Sequence, residues 1–414
     1  MAQDTLLKQI LSYANRANPY PLYAELRRTP VARQEDGTYV VSTYREIVAL
    51  LHDPRISSDL RKRTQPATDS QGHVEGEMSQ QLPPAFLVLD PPAHDRLRRL
   101  AMRQFGPPNS PGRVNSMRPD LLKMVNSLID QFQGQQQIDI VENFSYPFPV
   151  TVICELLGVP RQDEPLFHEW ADAIVNAINI ADQNGDKAVL EKSTQARKNL
   201  ARYMAQLLEG HMRDPGNDML SGMATDDGHE GRMTLGDLIT TAILLLIAGH
   251  ETTVNLISNG VLTLLRYPDV LGRLKREPEL IISAVEELLR YEPPVQLLPQ
   301  RTPLEDITIA GVTIPKGVPL TLVLASGSRD PLRFSDPERF NPERQDNQHL
   351  GFGSGIHNCF GAPIARLEAQ TALSELFRRL ENPRLVADPP PYRQNAVLRG
   401  PQHLLVEVDG VKES

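Results

Sequence analysis

The sequence predicts a mainly α-helical fold with a minor β region, and three observations carry that expectation. Helical stretches follow one another over residues 93–289, broken by Pro107-Pro108, Pro147, Pro160 and the stretch 214–231. Within them, residues 234–266 hold no proline and are rich in Leu, Ile and Ala; a continuous helix there is roughly 50 Å long. Strand signals are few and short. They cluster over 306–324, where Gly311 and Pro315-Lys316-Gly317 supply the turns, and a closing strand is expected at 404–408.

Taken in order, 21–28 reads as a short helix, Tyr39-Val40-Val41 as a strand after the Asp36-Gly37 turn, and 43–51 as the next helix. Residues 56–85 lose all periodicity and gather Ser, Thr, Gln, Gly and Pro. A connection of about thirty residues far exceeds the usual length, so it is either functional or disordered. No linker, low-complexity tract or repeat divides the chain, and residues 1–414 are expected to form one domain. The balance of 43 Lys+Arg against 52 Asp+Glu, net −9, argues against nucleic-acid binding. Cys154 and Cys359 are the two cysteines and offer no disulfide framework, so a reducing compartment is expected. The N-terminus lacks a signal-peptide pattern, and the longest wholly apolar run, 242–248, is too short to cross a bilayer. A cytoplasmic monomer without membrane attachment is expected.

The chemistry concentrates in two places. Phe352-Gly353-Ser354-Gly355-Ile356-His357-Asn358-Cys359-Phe360-Gly361 holds one cysteine among glycines, just before a helix expected over 362–380. Glycines at 353, 355 and 361 permit positive φ and close approach to a flat ligand. A helix N-terminus favours a thiolate, and one thiolate in a Gly-lined loop suits an axial ligand to haem iron. A lone cysteine is also a common small core residue, and no second cysteine nearby makes a zinc pair. In the long helix, Ala248-Gly249-His250-Glu251-Thr252-Thr253 interrupts an apolar run. One reading is structural, with Gly249 a packing site and Thr252 bonded to the carbonyl four residues back. The other is functional: an acid and an adjacent hydroxyl order water and relay protons, with Ala248 and either Leu244 or Leu245 on the same face as Thr252. Cys154, in an apolar helix, reads as core.

The pattern Phe-x-x-Gly-x-His-x-Cys-x-Gly resembles the haem-binding signature of the cytochrome P450 family. His349-Leu350-Gly351-Phe352 before it, and Gly361-Ala362-Pro363-Ile364-Ala365-Arg366-Leu367-Glu368 after it, resemble the soluble bacterial branch. The resemblance implies the fold of that family, with haem b between the long central helix and the cysteine loop. It implies Cys359 as the iron ligand, with Phe352, Gly353, His357, Gly361, Ala248 and Gly249 around the cofactor. Propionate contacts are implied at His94 and Arg98, i and i+4 in Asp90-Pro91-Pro92-Ala93-His94-Asp95-Arg96-Leu97-Arg98-Arg99, and at Arg301. Glu251 and Thr252 are the implied catalytic pair. Glu287 and Arg290, one turn apart, with Arg339 in Asp336-Pro337-Glu338-Arg339-Phe340, are the implied structural ion cluster.

The implied reaction is monooxygenation: one atom of O₂ enters a hydrophobic organic substrate by hydroxylation or epoxidation. With no fused reductase expected, electrons come from a separate ferredoxin and its NAD(P)H-dependent reductase, so NAD(P)H acts only indirectly. Arg96, Arg99 and Arg103, on the other face of their helix from His94, are the expected ferredoxin contact. The expected substrate wall comprises Phe86, Leu244, Ala248, Val295, Leu297, Leu298 and Val397, with the 56–86 loop and the region 176–186 as access segments. Two rivals stay open: a peroxide-driven haem-thiolate enzyme, although such relatives tend to lose the acid–alcohol pair, and a non-catalytic haem-binding sensor or electron carrier.

Overall fold

The computed structural model describes residues 5–64, 82–105, 111–177, 187–228 and 231–414. The helices are α1 (Leu6–Leu11), α2 (Tyr20–Leu26), α3 (Tyr44–Leu51), α4 (Ala93–Phe105), α5 (Pro111–Ser116), α6 (Arg118–Asp130), α7 (Pro147–Leu157) and α8 (Glu164–Asn176). They continue as α9 (Lys187–Arg213), α10 (Met219–Thr225), α11 (Leu235–Arg266), α12 (Pro268–Arg276), α13 (Ile281–Tyr291), α14 (Leu324–Gly327) and α15 (Ala362–Arg379). The expected helical bulk is present.

The long helix starts where its sequence supplies a cap. Thr234 Oγ1 accepts from the Asp237 N–H at 3.1 Å, and Asp237 accepts from the Thr234 N–H at 3.0 Å. This reciprocal box satisfies two N–H groups that the helix itself cannot. By length and composition α11 could cross a membrane. It packs instead against α7, α9, α13 and α15, the behaviour of a central core helix. Cys154, on α7, is fully buried in the same core, as read from its apolar run.

Strands β1 (Val31–Arg33), β2 (Tyr39–Val41), β3 (Ile56–Ser57), β5 (Leu298–Pro303) and β8 (Leu320–Leu322) make one sheet in the order β1-β2-β8-β5-β3. The hairpin β6 (Ile307–Ile309) and β7 (Val312–Ile314) stands beside it. A second sheet joins β10 (Arg384–Leu385), β11 (Leu405–Glu407) and β4 (Gln137–Asp139), and β9 (Leu380–Glu381) pairs with β12 (Gly410–Val411). Strand β4 interrupts the region read as helical throughout. Three residues are too few for alternation to register, and their pairing partner β11 lies far along the chain.

The 56–86 segment is not wholly irregular. Ile56 and Ser57 pair with Pro303 and Thr302, and short 3₁₀ turns occupy Leu60–Lys62 and Phe86–Val88. Its middle, 65–81, lies outside the described residues, as does most of 176–186.

Candidate active site

The cysteine loop lies between α14 and α15 and is held by its own backbone. The Cys359 N–H donates to the Phe352 carbonyl at 2.9 Å. Gly353 and Gly355 take φ of 68° and 70°, the left-handed region where glycine carries no Cβ penalty. At Gly355 a Cβ would also stand 2.1 Å from the Leu51 carbonyl, so the loop is packed onto the end of α3. Gly361 differs from expectation: its φ is −85° as the residue before α15. Its contribution is an N–H. Burial pushes the Cys359 thiol up, while the Gly361 and Ala362 N–H groups and the Arg98 and Arg366 charges pull it down.

Beside the loop lies a set of cationic and imidazole groups in which three imidazole nitrogens have no partner. His94 is buried at the start of α4; its Nδ1 meets Asp95 at 2.7 Å, and its Nε2 has no partner. The His357 ring lies 4.3 Å from the His94 ring, with neither nitrogen bonded. Burial first, then the neighbouring His94 and Arg301, push the His357 pKa down to about 3. Arg301, on β5, is buried, and desolvation lowers it to about 10 with only the charge of Asp90 acting the other way. Arg98 donates to the Asn358 carbonyl at 2.6 Å and lies over the Phe360 ring at 5.9 Å. Buried donors without acceptors are costly, so this cluster is built for an anion with several oxygens. Two haem propionates fit that requirement, and Cys359 stands in the same wall.

On α11 the surface splits by face. Leu244, Ala248 and Thr252 keep solvent-accessible surface while Leu245, Leu246, His250, Glu251 and Thr253 are buried around them. A stripe spaced i, i+4, i+8 is one helix face, and here it borders a cavity. Thr252 Oγ1 donates to the Ala248 carbonyl at 2.9 Å, the back-bond read as the structural alternative. That bond uses the hydroxyl proton and leaves the oxygen's lone pairs to accept from the cavity side. Gly249 does a different job from Ala248: a Cβ there would meet Ile153 of α7 at 3.1 Å, so the missing side chain serves helix packing.

Glu251 is buried (1 %) and is not solvated by the cavity. Arg393 Nη1 reaches Glu251 Oε1 at 3.2 Å and Asp172 of α8 at 4.0 Å, and Asn255 donates to Oε1 at 3.4 Å. An acid buried in a helix is costly unless it is hydrated or paired. Arg393 sits 142 residues away, and only the fold brings it near.

The ion cluster on α13 needs a correction. Arg290 binds Glu287 through two bonds of 2.8 Å, both residues fully buried. The third arginine is Arg344, whose Nε lies 3.2 Å from Glu287 Oε2. The Arg339 side chain is exposed; its carbonyl accepts from Arg290 at 3.1 Å and from Arg344 at 3.3 Å. The segment turns sharply just before Arg339, with Asp336 at φ 46°, and a backbone group points inward where a side chain was expected.

The expected substrate wall is only partly cavity-facing. A side chain lining a cavity that admits water retains accessible surface. Leu297 retains none and packs with Ile10, Tyr20 and Val40. Val397 belongs to the same cluster, and Phe86 is buried against Phe360 and His94. Leu244, Ala248, Val295 and Leu298 keep accessible surface. The basic face of α4 is also committed in part: Arg96 donates to the Arg232 carbonyl at 2.6 Å, and Arg103 reaches Asp226 at 3.4 Å. These two arginines hold the connection before α11.

Comparison with known proteins bears on this site directly. The family model described as Cytochrome P450 matches residues 11–408. The chain is 38% identical over 399 residues to cytochrome P450 monooxygenase PikC of Streptomyces venezuelae, covering 93% of this chain and 89% of that protein. It is 35% identical over 402 residues to 6-deoxyerythronolide B hydroxylase of Saccharopolyspora erythraea, covering 94% and 96%. The ligand-free crystal structure of Mycobacterium smegmatis CYP164A2 superposes with a TM-score of 0.86 at 38% identity, covering 97% of this chain and 99% of that one. Sequence, architecture and the cysteine loop agree: the chain belongs to the cytochrome P450 family, a family of haem-thiolate oxidoreductases, and its relatives are bacterial monooxygenases.

Proposed function

We propose that this protein, acting as one domain, is a soluble cytoplasmic monooxygenase. It inserts one atom of O₂ into a medium or large hydrophobic substrate such as a terpenoid, steroid or macrolide. The single observation that carries the proposal is the group of His94, His357 and Arg301 set beside Cys359, in which three imidazole nitrogens are buried without a partner. Haem b held by the Cys359 sulfur supplies the iron chemistry, the thiolate donating electron density that favours O–O cleavage.

The chain's own residues then have distinct tasks. His94, Arg98, Arg301 and His357 bind the propionates, and the Gly361 and Ala362 N–H groups temper the sulfur. Phe352 and Gly353 shape the loop, and the small side chain of Ala248 gives the cofactor room, whereas Gly249, expected beside it, serves the packing of α11 on α7. Thr252 Oγ1 accepts from a proton donor on the cavity side while its own O–H donates to the Ala248 carbonyl. Glu251 moves protons toward that hydroxyl from the side of Arg393 and Asp172. Electrons come from a separate ferredoxin and its NAD(P)H-dependent reductase. The retained acid–alcohol pair favours this reading over a peroxide-driven enzyme or a passive haem binder.

The test is turnover of a spectrally selected substrate with ferredoxin, reductase and isotope-labelled dioxygen. Label in the product is expected, and Cys359→Ala should abolish both the thiolate–haem spectrum and turnover. Turnover with peroxide alone and none with reductant and dioxygen would overturn the proposal.

A further inference from the structure

The inward face of α9 carries a charge where the pattern demands an apolar residue. The buried residues of this helix are Ser193, Ala196, Leu200, Ala201, Met204 and Leu208. At 100° per residue they form one stripe, and Arg197 falls at its centre, one turn from Ser193 on one side and from Ala201 on the other. Arg197 is nevertheless exposed while both of those neighbours are buried. A residue at the middle of a packed stripe keeps accessible surface where its neighbours leave open space beside it.

Two further facts describe that space. The flanking residues Ser193, Ala196 and Ala201 are small, so α9 itself leaves the space beside the guanidinium unfilled. Burial alone lowers the Arg197 pKa, with no carboxylate among the described residues acting on it. A guanidinium in bulk water is not desolvated, and one that meets protein on most sides normally has an acid beside it. Helix α9 packs on α11, whose Leu244, Ala248 and Thr252 stripe borders a cavity from the other side.

We propose that Arg197 is a specificity residue in the α9 wall of the substrate cavity and receives a carboxylate carried by an otherwise hydrophobic substrate. The inference rests on the monooxygenase reading above and adds the substrate's polar end to it. A planar guanidinium offers a fork of N–H donors that matches a carboxylate in two parallel bonds. On this stripe of α9 the other residues are apolar but for Ser193, so the anion fixes which end of the substrate points toward α9 and which end is presented to Thr252.

The experiment uses haem-loaded enzyme and the spectral shift of substrate binding. Carboxylic acids on linear, sterol-like and macrocyclic frames are each titrated against their own methyl esters, with dodecanoate and methyl dodecanoate as the first pair. At least one acid should bind about tenfold or more tighter than its ester. That preference should collapse to less than about twofold in Arg197→Ala, recover in part in Arg197→Lys, and reverse toward dodecylamine in Arg197→Glu. An acid preference absent from every pair, or one that persists in Arg197→Ala, overturns the inference. A thiolate–haem spectrum recorded before titration separates the two readings: its absence counts against the monooxygenase, whereas a normal spectrum without acid preference counts against Arg197 alone.

Discussion

Replacing Glu287 by alanine puts the buried ion cluster under the sharpest test. Its carboxylate is fully buried and accepts from Arg290 Nε and Nη2 at 2.8 Å, from the Asn341 N–H at 2.9 Å, and from Arg344 Nε and Asn347 Nδ2 at 3.2 Å. Alanine removes the anion and leaves Arg290, equally buried, with only the carbonyls of Ser328, Pro337 and Arg339. Removing one partner of a buried pair costs about 3–5 kcal/mol because the other charge stays behind. Against a total stability on the order of 5–15 kcal/mol, little haem-loaded protein should accumulate. Arg344→Ala keeps the Arg290 pair and should cost less, about 1–3 kcal/mol. Arg339→Ala keeps the carbonyl that matters and removes an exposed side chain, so it should stay within about 0.5 kcal/mol of wild type. The assay is urea unfolding together with thiolate–haem absorbance per unit of purified protein. Normal haem loading in Glu287→Ala, or a loss in Arg339→Ala exceeding that in Arg344→Ala, would refute the reasoning.

Two other expectations follow from the site. Thr252→Ala removes the cavity-facing acceptor, so NAD(P)H and oxygen should still be consumed while hydrogen peroxide replaces much of the product. Thr252→Ser should restore coupling, and product yield per NAD(P)H in the alanine variant equal to wild type would contradict the assigned task. At Glu286, burial raises the carboxyl, but His349 at 3.2 Å and Arg366 at 2.7 Å outweigh it and hold the pKa at about 2. A pKa depressed on folding gives stability that is complete above the unfolded value of about 4.3 and fades as pH falls toward the folded one. The join between α13 and α15 should therefore weaken between those limits. Glu286→Gln should flatten that part of the stability curve, and an unchanged acid slope would count against the pair.

What the sequence made legible was whatever acts locally. The long helix from 234, the positive-φ glycines at 353 and 355, and the Glu287–Arg290 spacing all depend on residues within a few positions of each other. Cys359 and His94 were legible for the same reason, each beginning or preceding a helix with a recognisable start. The misreadings share the opposite cause. Arg339 and Arg344 are both arginines in an aperiodic segment, and only its folded turns decide which one offers a side chain and which a carbonyl. Leu297 and Val295 lie two apart and are equally apolar, yet one is sealed in the cluster with Tyr20 and the other keeps surface. Composition cannot make that distinction, because both packing and cavity lining call for apolar side chains. Arg197 shows the reverse case: its position on the buried stripe is readable from spacing, but its exposure there is a property of the neighbours that the fold leaves out.

The acid and the alcohol of α11 illustrate what adjacency in sequence conceals. Neighbouring residues on a helix point about 100° apart, so Glu251 and Thr252 cannot both face one cavity. Thr252 takes the cavity, and Glu251 is turned into the protein, where an ionised carboxylate is tolerable only with a compensating charge. Arg393 supplies it from a C-terminal segment that is fixed by the bridge of Tyr392 to Pro401 and by the Arg393 N–H on the Gly400 carbonyl. Asp172, 4.0 Å from the same arginine, offers it an alternative carboxylate on α8. Any proton route through Glu251 must therefore loosen the Arg393 contact before the acid can reach Thr252. Delivery of the proton is then conditional on how α8 and the C-terminal segment are packed, and the pair in α11 is only half of the device.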